Sequence, residues 1–300
     1  MTELTAGAAP IPTTLDRADT RVAGEGRQLR YLVGAICVLV IVLMLAPLVL
    51  SLLASVKTPA EASQSPPSYL PHALSLANYA KVFAFQAGLL TYVLNSLLVA
   101  FLTIAMCLVL AVPAGYGLAR FQFPGKEIMF LLLLAPLMIP YQALLTPLYL
   151  MFSKVGLANT HFGLALVHTI LQLPFSIYLM RNAFEGIPRE LEEAAVMDGS
   201  SSFQVLRNIF APLVIPGMVT VALFAFINSW NEFLAALIFM NKETAFTVPI
   251  MLVSVRAGRL GAVDWGALQA GVIISILPCV VIYVLLQKYY VSGFLNGAVK

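Results

Sequence analysis

Long runs without a single charge govern what this chain can fold into. Residues 31–56 contain no acidic or basic side chain, and neither do runs at about 91–118, 128–153, 158–180 and 265–287. A sixth apolar run, about 213–240, is interrupted by Glu232 alone. A bilayer core takes about 20 consecutive apolar residues as a helix, and every run reaches that length. Lipid offers no partner to backbone N–H and C=O groups, so such runs span as helices that satisfy their own backbone. Composition agrees: 10% of residues are charged, against about a quarter in soluble domains. The expected fold class is all-α integral membrane, with six transmembrane helices embedded in lipid.

Six spans put both termini on one side. With the N terminus inside, eleven Lys and Arg fall on inner segments and six on outer ones, so the positive-inside rule gives N-in and C-in. Residues 1–29 are polar and carry Pro10 and Pro12; they are expected as a mobile cytoplasmic tail, with 30–300 as one transmembrane domain. The run at 31–56 outlasts a signal-peptide core and lacks a small-residue cleavage site, so it reads as a retained helix. Every span holds proline, among them Pro47, Pro113, Pro174, Pro216 and Pro278. The carbonyls proline frees are satisfied by neighbouring helices or a water-lined cavity. The outer segments at about 57–88 and 241–264 serve as connectors or as surfaces for an extracytoplasmic partner. Basic residues are scattered rather than clustered, which argues against nucleic acid.

Between two apolar runs lies a polar island, Pro188 to Pro212, which with Glu185 holds five of the fourteen carboxylates. Pro188 suits a first helical position, and Glu190, Glu192 and Glu193 favour the early turns of a helix. Leu191, Ala194, Ala195 and Asp198 share one face by 3.6-residue spacing. Gly199 is placed as a C-terminal cap, and Ser201 with Gln204 has capping-box spacing for a second helix, which Pro212 closes or kinks. The island reads as helix, glycine turn, short helix, at about 182–212 on the cytoplasmic side. Ala194 and Ala195 are small enough to let another protein approach the backbone.

No phosphate-binding GxxxxGK[ST] occurs, so any ATP hydrolysis that drives this chain belongs to another chain. His161 and His168 could share a helix face, but no carboxylate or third ligand lies near them in sequence, and neither metal nor cofactor is expected in this chain. Cys37, Cys107 and Cys279 sit in apolar runs at no metal or disulfide spacing. Within Asn228-Ser229-Trp230-Asn231-Glu232-Phe233, Glu232 is the most expensive residue inside a span. Two readings stand side by side. In one, Asn228, Trp230, Asn231 and Glu232 line a substrate pathway, with the indole face for sugar stacking. In the other, Glu232 is hydrated near the outer interface and Trp230 anchors there. Asn95, Gln142 and Gln172 read as helix-to-helix glue.

The island resembles the signature of permease subunits of ATP-binding cassette importers: EAA, three residues, G, nine residues, I-x-L-P. Glu193-Ala194-Ala195, Gly199, Ile209 and Pro212 stand at that spacing, with Ala211 in place of the leucine. LSLANY at 74–79, GYGLARFQFPGK at 115–126, LANTHFGLAL at 157–166, SWNEF at 229–233 and YYVSGFLNGAVK at 289–300 are similar to the carbohydrate-uptake branch. The likeness is to the maltose-transporter type, and to its smaller six-helix permease. It implies a type I ABC importer permease fold in the cell membrane. The island would be a coupling helix docked on a cytoplasmic ATPase through Glu192, Glu193, Ala194, Ala195, Asp198, Gly199 and Ser200. It further implies a second homologous permease as heterodimer partner, two ATPase subunits that bind ATP and Mg, and an extracytoplasmic sugar-binding protein met by the 241–264 segment. The C-terminal tail, Asn296 to Lys300, would touch the ATPase.

The function expected is ATP-driven import of a sugar or oligosaccharide by alternating access. Glycerol phosphate or a polyol is the alternative cargo. An ion-coupled transporter using Glu232 would instead require an inverted repeat, which residues 31–150 and 160–290 do not show. An intramembrane enzyme would need convergent catalytic groups at one depth, and none is evident.

Overall fold

The computed structural model describes residues 16–257 and 263–298, with side chains over 29–256 and 263–287. Two units divide it, 1–51 and 52–300. The first unit consists of most of α1, Asp16–Ser55, a continuous helix that holds Pro47. Its apolar part, Leu29–Ser55, in which Arg30 is the one charged residue, is 27 residues, about 40 Å at 1.5 Å per residue, which is enough to cross a bilayer. From Leu29 to Leu50 its large side chains are exposed, as suits a helix that is apolar all round. Residues 16–29, expected as part of a mobile tail, are thus helical backbone, and residues 1–15 lie outside the described part.

The second unit follows as α2 (Pro59–Ala62), α3 (Ala77–Phe83), α4 (Leu89–Arg120), α5 (Lys126–Leu134), a 3₁₀ turn (Ala135–Met138), α6 (Tyr141–Lys154) and α7 (His161–Glu185). Then come α8 (Glu190–Met197), α9 (Ser202–Val205), a π-helical turn (Leu206–Phe210), α10 (Ala211–Leu213), α11 (Ile215–Asn231), α12 (Leu234–Phe239), α13 (Val248–Ala257) and α14 (Trp265–Ala298).

α4 and α7 form the central pair. Thr103 lies against Ala165, Gly115 against Met180, and Arg120 against Phe184, so the two helices run parallel. Gly115 makes this possible: a Cβ there would come within 2.6 Å of Met180 Cβ. Parallel neighbours require the chain to return between them, and α5–α6 does this. α5 begins beside Arg181 through Glu127 (2.9 Å), and α6 packs Phe152 on Phe239 near the far end. α11 runs antiparallel to α7, with Gly217 against Ala183 and Asn228 against Gln172.

Four described helices are long and apolar enough to cross a membrane, and six crossings result if each of two bent pairs counts as one. One bend breaks a run expected as a single span, and the other falls where Pro212 was expected to close or kink the helix. The run at 128–153 turns by 99° between Met138 and Tyr141, where Pro136 and Pro140 remove backbone donors. The stretch from Ser202 through Asn231 bends by 75° at Val214, between Pro212 and Pro216. The helix expected to pass through Glu232 to Met240 stops at Asn231 and restarts at Leu234. The segment at 241–264, expected on the outer side as a connector or a partner surface, is not all loop. It contains α13, whose Val248, Ile250, Met251 and Val255 are buried; Arg259 lies outside the described residues.

Candidate functional site

Two places carry polar groups that apolar membrane helices do not need: the island after α7, and a cavity at the α11–α12 break.

At the island, Gly199 has φ +84°, a left-handed conformation that glycine adopts without steric cost. The Ser200 N–H reaches Ala195 O (3.0 Å) and the Gly199 N–H reaches Val196 O (2.9 Å), the paired bonds of a Schellman cap. Ser201 then caps α9: its Oγ accepts from Gln204 N, while Gln204 Oε1 accepts from Ser201 N at 2.7 Å. Both turn signals hold as expected from sequence. Pro188 lies two residues ahead of α8 rather than inside it.

The face of α8 differs from the one expected. Ala195 is 7% exposed and packs with Phe184, Phe210 and Tyr116, so its small side chain lets α8 close on its own chain. Glu192 also turns inward, where Tyr116 Oη donates to Oε1 at 3.2 Å and Arg120 Nε lies 3.9 Å from Oε2. Arg120 fastens the region further. Its Nη2 donates to Phe184 O (2.6 Å) and Ile187 O (2.7 Å), and its guanidinium stands over the Phe210 ring. Glu193, Ala194, Asp198 and Gly199 face outward and Ser200 is half-buried. Met197 beside them is 87% exposed. The C-terminal tail at 296–300 falls outside the described side chains.

The cavity measures about 410 Å³, and Thr103, Tyr141, Gln172, Asn228, Asn231 and Glu232 are among its lining residues. Asn228, Asn231 and Glu232 are therefore brought together, on one side of the end of α11. Trp230 is not among them. It is 2% exposed, stacks on Phe226 at 5.7 Å, and its indole N–H donates to Ser275 O at 3.0 Å. Helical periodicity accounts for this: residue 230 lies some 160–200° round the helix from 228 and 232. Trp230 is core, not a sugar platform.

Glu232 sits at the break between the helices. Its Oε1 accepts from Ala235 N (2.7 Å), and its Oε2 accepts from Ala236 N (3.0 Å) and from His168 Nε2 (3.3 Å). A carboxylate cannot donate, so the shared proton is on Nε2, and in the neutral ring Nδ1 accepts from Ser229 Oγ at 2.9 Å. His168 thus has the carboxylate neighbour that its sequence surroundings did not show. Among the described residues no cluster of metal-ligating side chains forms. Gln172, expected as helix glue, bonds Asn228 Nδ2 through Oε1 at 2.6 Å and also lines the cavity. Its signal was available, since His168 and Gln172 stand i, i+4 on α7. Asn95 does act as glue, donating to Thr244 O and Phe246 O.

The model of the family described as "Binding-protein-dependent transport system inner membrane component" matches residues 111–293, which include the island, the break and the whole cavity wall from α7 and α11. The chain belongs to this family. It is a multi-pass membrane protein of the permease class, and that class is not catalytic. Among relatives, it is 34% identical to the sulfoquinovosyl glycerol transport system permease protein SmoH of Agrobacterium fabrum, over 92% of this chain and 95% of that one. It is 40% identical to the probable ABC transporter permease protein YurM of Bacillus subtilis, over 73% of this chain and 72% of that one. It is 33% identical to the trehalose transport system permease protein SugB of Mycobacterium tuberculosis, over 77% and 84%. The permease shares its fold with a chain from the crystal structure of a bacterial ABC transporter that imports alginate, with a TM-score of 0.72, 23% identity, and coverage of 94% of this chain and 100% of that one.

Proposed function

We propose that this permease is one of two homologous membrane subunits of an ATP-driven importer for a sugar or oligosaccharide in the cell membrane, with six crossings and both termini cytoplasmic. α8 to α9 is its coupling segment. The observation that carries this reading is a rigidly backed, outward-facing turn. Arg120, Tyr116 and Phe210 hold Glu192 and Ala195 from behind, while Glu193, Ala194, Met197, Asp198, Gly199 and Ser200 are left to meet a partner. Two cytoplasmic ATPase subunits bind ATP and Mg, and their closure moves this turn. The displacement passes along α4 and α7 to the cavity and alternates its access. An extracytoplasmic binding protein delivers the sugar. Sugar cargo is supported by relatives named for trehalose and sulfoquinovosyl glycerol transport. Ion coupling through Glu232 is disfavoured, because three donors already hold that carboxylate.

The test is a crosslink. Met197→Cys and Ser200→Cys are placed singly in a background without Cys37, Cys107 and Cys279. Ala195 is unsuitable because it is buried. The expected outcome is a crosslink to a co-purified ATPase whose yield changes with ATP. If an ATPase co-purifies and neither position reacts, the coupling role of this turn is wrong.

A further inference from the structure

We infer that the segment after α1, residues 57–76, rests on the lipid bilayer, with Tyr69, Leu70, Leu74 and Leu76 seated where headgroups meet acyl chains. Such a contact requires only that the chain crosses a membrane, and it stands apart from cargo and ATPase.

The segment is built inside out. Lys57 is buried and the Glu61 side chain is largely covered. Lys57 Nζ donates to Ser68 O and to Ser68 Oγ (3.2 Å), and Ser68 Oγ donates to Glu61 Oε1 (3.0 Å). The backbone N–H and the Nδ1 of His72 meet the same carboxylate oxygen. The ammonium and the carboxylate are thus joined through Ser68 inside the segment, although such groups are rarely buried unless paired and usually face water. Tyr69, Leu70, Leu74 and Leu76 do the opposite and are between 71% and 79% exposed. Four large apolar side chains left uncovered so close together mark an interaction surface.

Depth names the partner. Two helices long and apolar enough to cross a membrane have ends here, α1 at Ser55 and α14 at Trp265. Asn78 Nδ2 donates to Ser55 O (3.1 Å) and Lys57 O (2.7 Å), and Tyr79 Oη lies 2.8 Å from Ser55 Oγ. The Ser75 N–H donates to Val56 O at 2.7 Å. Leu74 and Leu76, on either side of Ser75, therefore stand level with the end of α1. α14 gives the same level. Lys81 Nζ pairs with Asp264 Oδ2 at 2.7 Å, a Cβ on Gly266 would come within 2.5 Å of Asn78 Oδ1, and Trp265 between them is exposed. Tyrosine and tryptophan at such a level are what the boundary of lipid and water favours, since the ring sinks while its polar tip stays wet. Lys57 and Glu61 turn inward for the same reason, because a charge pressed toward acyl chains loses its hydration. A protein partner fits this patch less well. Its rim would need free hydrogen-bonding groups, and apart from the Tyr69 hydroxyl the exposed polar side chain within 69–76 is His72, whose Nδ1 already bonds Glu61. Ser63, Gln64 and Ser65, just before the patch, are exposed and polar, as suits a stretch that faces water.

The experiment reads contact with lipid directly. Leu70→Cys, Leu74→Cys and Gln64→Cys are made singly in the permease without Cys37, Cys107 and Cys279, and each is labelled with bimane. All three positions are exposed, so the label displaces no packed side chain. The permease, with whatever subunits co-purify, is reconstituted in vesicles of phosphatidylethanolamine and phosphatidylglycerol. One quencher is a phospholipid carrying a nitroxide high on its acyl chain, and the other is iodide in the water. The expected result is loss of emission to the lipid nitroxide at 70 and 74 but not at 64, and loss to iodide at 64 but not at 70 or 74. Either of the two apolar positions decides alone if the other variant does not fold. Iodide quenching at 70 and 74 equal to that at 64 shows that the patch stands in water and overturns the inference. Protection of 70 and 74 from both quenchers shows that a protein subunit covers them and overturns it as well. Neither result bears on the importer reading.

Discussion

Arg120 donates to two carbonyls at the C-terminal end of α7, Phe184 O and Ile187 O, and covers the Phe210 ring at 4.7 Å. Phe184 O lies at the negative end of the α7 dipole and Ile187 O just beyond it, and two acceptors side by side suit a delocalised, always-charged fork better than a point charge. Its Nε, however, is buried without a partner, with Glu192 Oε2 at 3.9 Å, about 1 Å too far for a hydrogen bond. Small movement of α8 toward α4 would close that gap. Arg120→Lys keeps the charge but loses one of the two carbonyl bonds and the planar contact with Phe210. Bonds to charged groups contribute about 1.5–3 kcal/mol, so the variant is expected to lose about 2 kcal/mol, read as earlier thermal unfolding of the purified permease. Unfolding at the wild-type temperature would show that the fork contributes nothing beyond its charge.

Between helices, the segment from α2 to α3 is organised by one carboxylate rather than by apolar packing. Glu61 Oε1 accepts from His72 Nδ1 (2.8 Å), His72 N (3.0 Å) and Ser68 Oγ (3.0 Å), while Lys57 Nζ reaches Ser68 O. The side-chain bond from His72, then its backbone N–H, lower the Glu61 carboxyl to about 2 against the opposing effect of burial. A carboxyl whose folded pKa is depressed stabilises the fold above its unfolded value, roughly 4.3, and that contribution disappears as pH falls through about 2. Acid is therefore expected to open residues 57–75 in the window from about pH 4 to 2. Pepsin cleavage of this segment in the detergent-solubilised protein should rise across that window relative to Glu61→Gln, which lacks the titrating group. A parallel course for both proteins would mean that Glu61 does not hold the segment. Asp264 behaves similarly at the start of α14: burial raises its carboxyl, but the Lys81 ammonium at 2.7 Å and the Ala267 N–H hold it below the ordinary range.

At the scale of the whole molecule, what could be read from sequence was whatever is local. Charge-free runs located the helices, Gly199 and the Ser201–Gln204 pair located the turns, and the exposed side of Gly199 followed from them. What escaped depends on partners far along the chain. The inward face of α8 is set by Tyr116 and Arg120, more than 70 residues before Glu192. The break at Glu232 is set by His168, 64 residues away, and no periodicity in 213–240 announces it. Trp230 could have been placed, because the residues on either side of the break already defined which side of α11 is polar.

The same long-range packing joins the proposed coupling end to the cavity, and Gly115 is where it can be tested. α7 presents Phe184 O to Arg120 at one end and His168 with Gln172 to the cavity at the other. α4 lies along it in parallel, with Thr103 at cavity depth and Arg120 at the coupling end. The pair can move as one body only if the helices cannot slip, and at Gly115 they stand in close contact. A Cβ there meets Met180 Cβ at 2.6 Å and the Arg181 N at 2.9 Å, so backbone as well as side chain must shift. Gly115→Ala is therefore expected to cost about 1–3 kcal/mol by overpacking, seen as a fall of a few degrees in unfolding temperature. A separated pair also transmits less of the displacement at α8, so ATP hydrolysed per sugar imported should rise in reconstituted transporter. Gly217→Ala separates the two effects. Its Cβ would meet only Ala183 Cβ at 2.9 Å and Met180 Sδ at 3.9 Å, between α11 and α7. It should lower stability without altering the α4–α7 contact. Equal uncoupling by both variants would show that general loosening, not the α4–α7 lever, sets the coupling ratio.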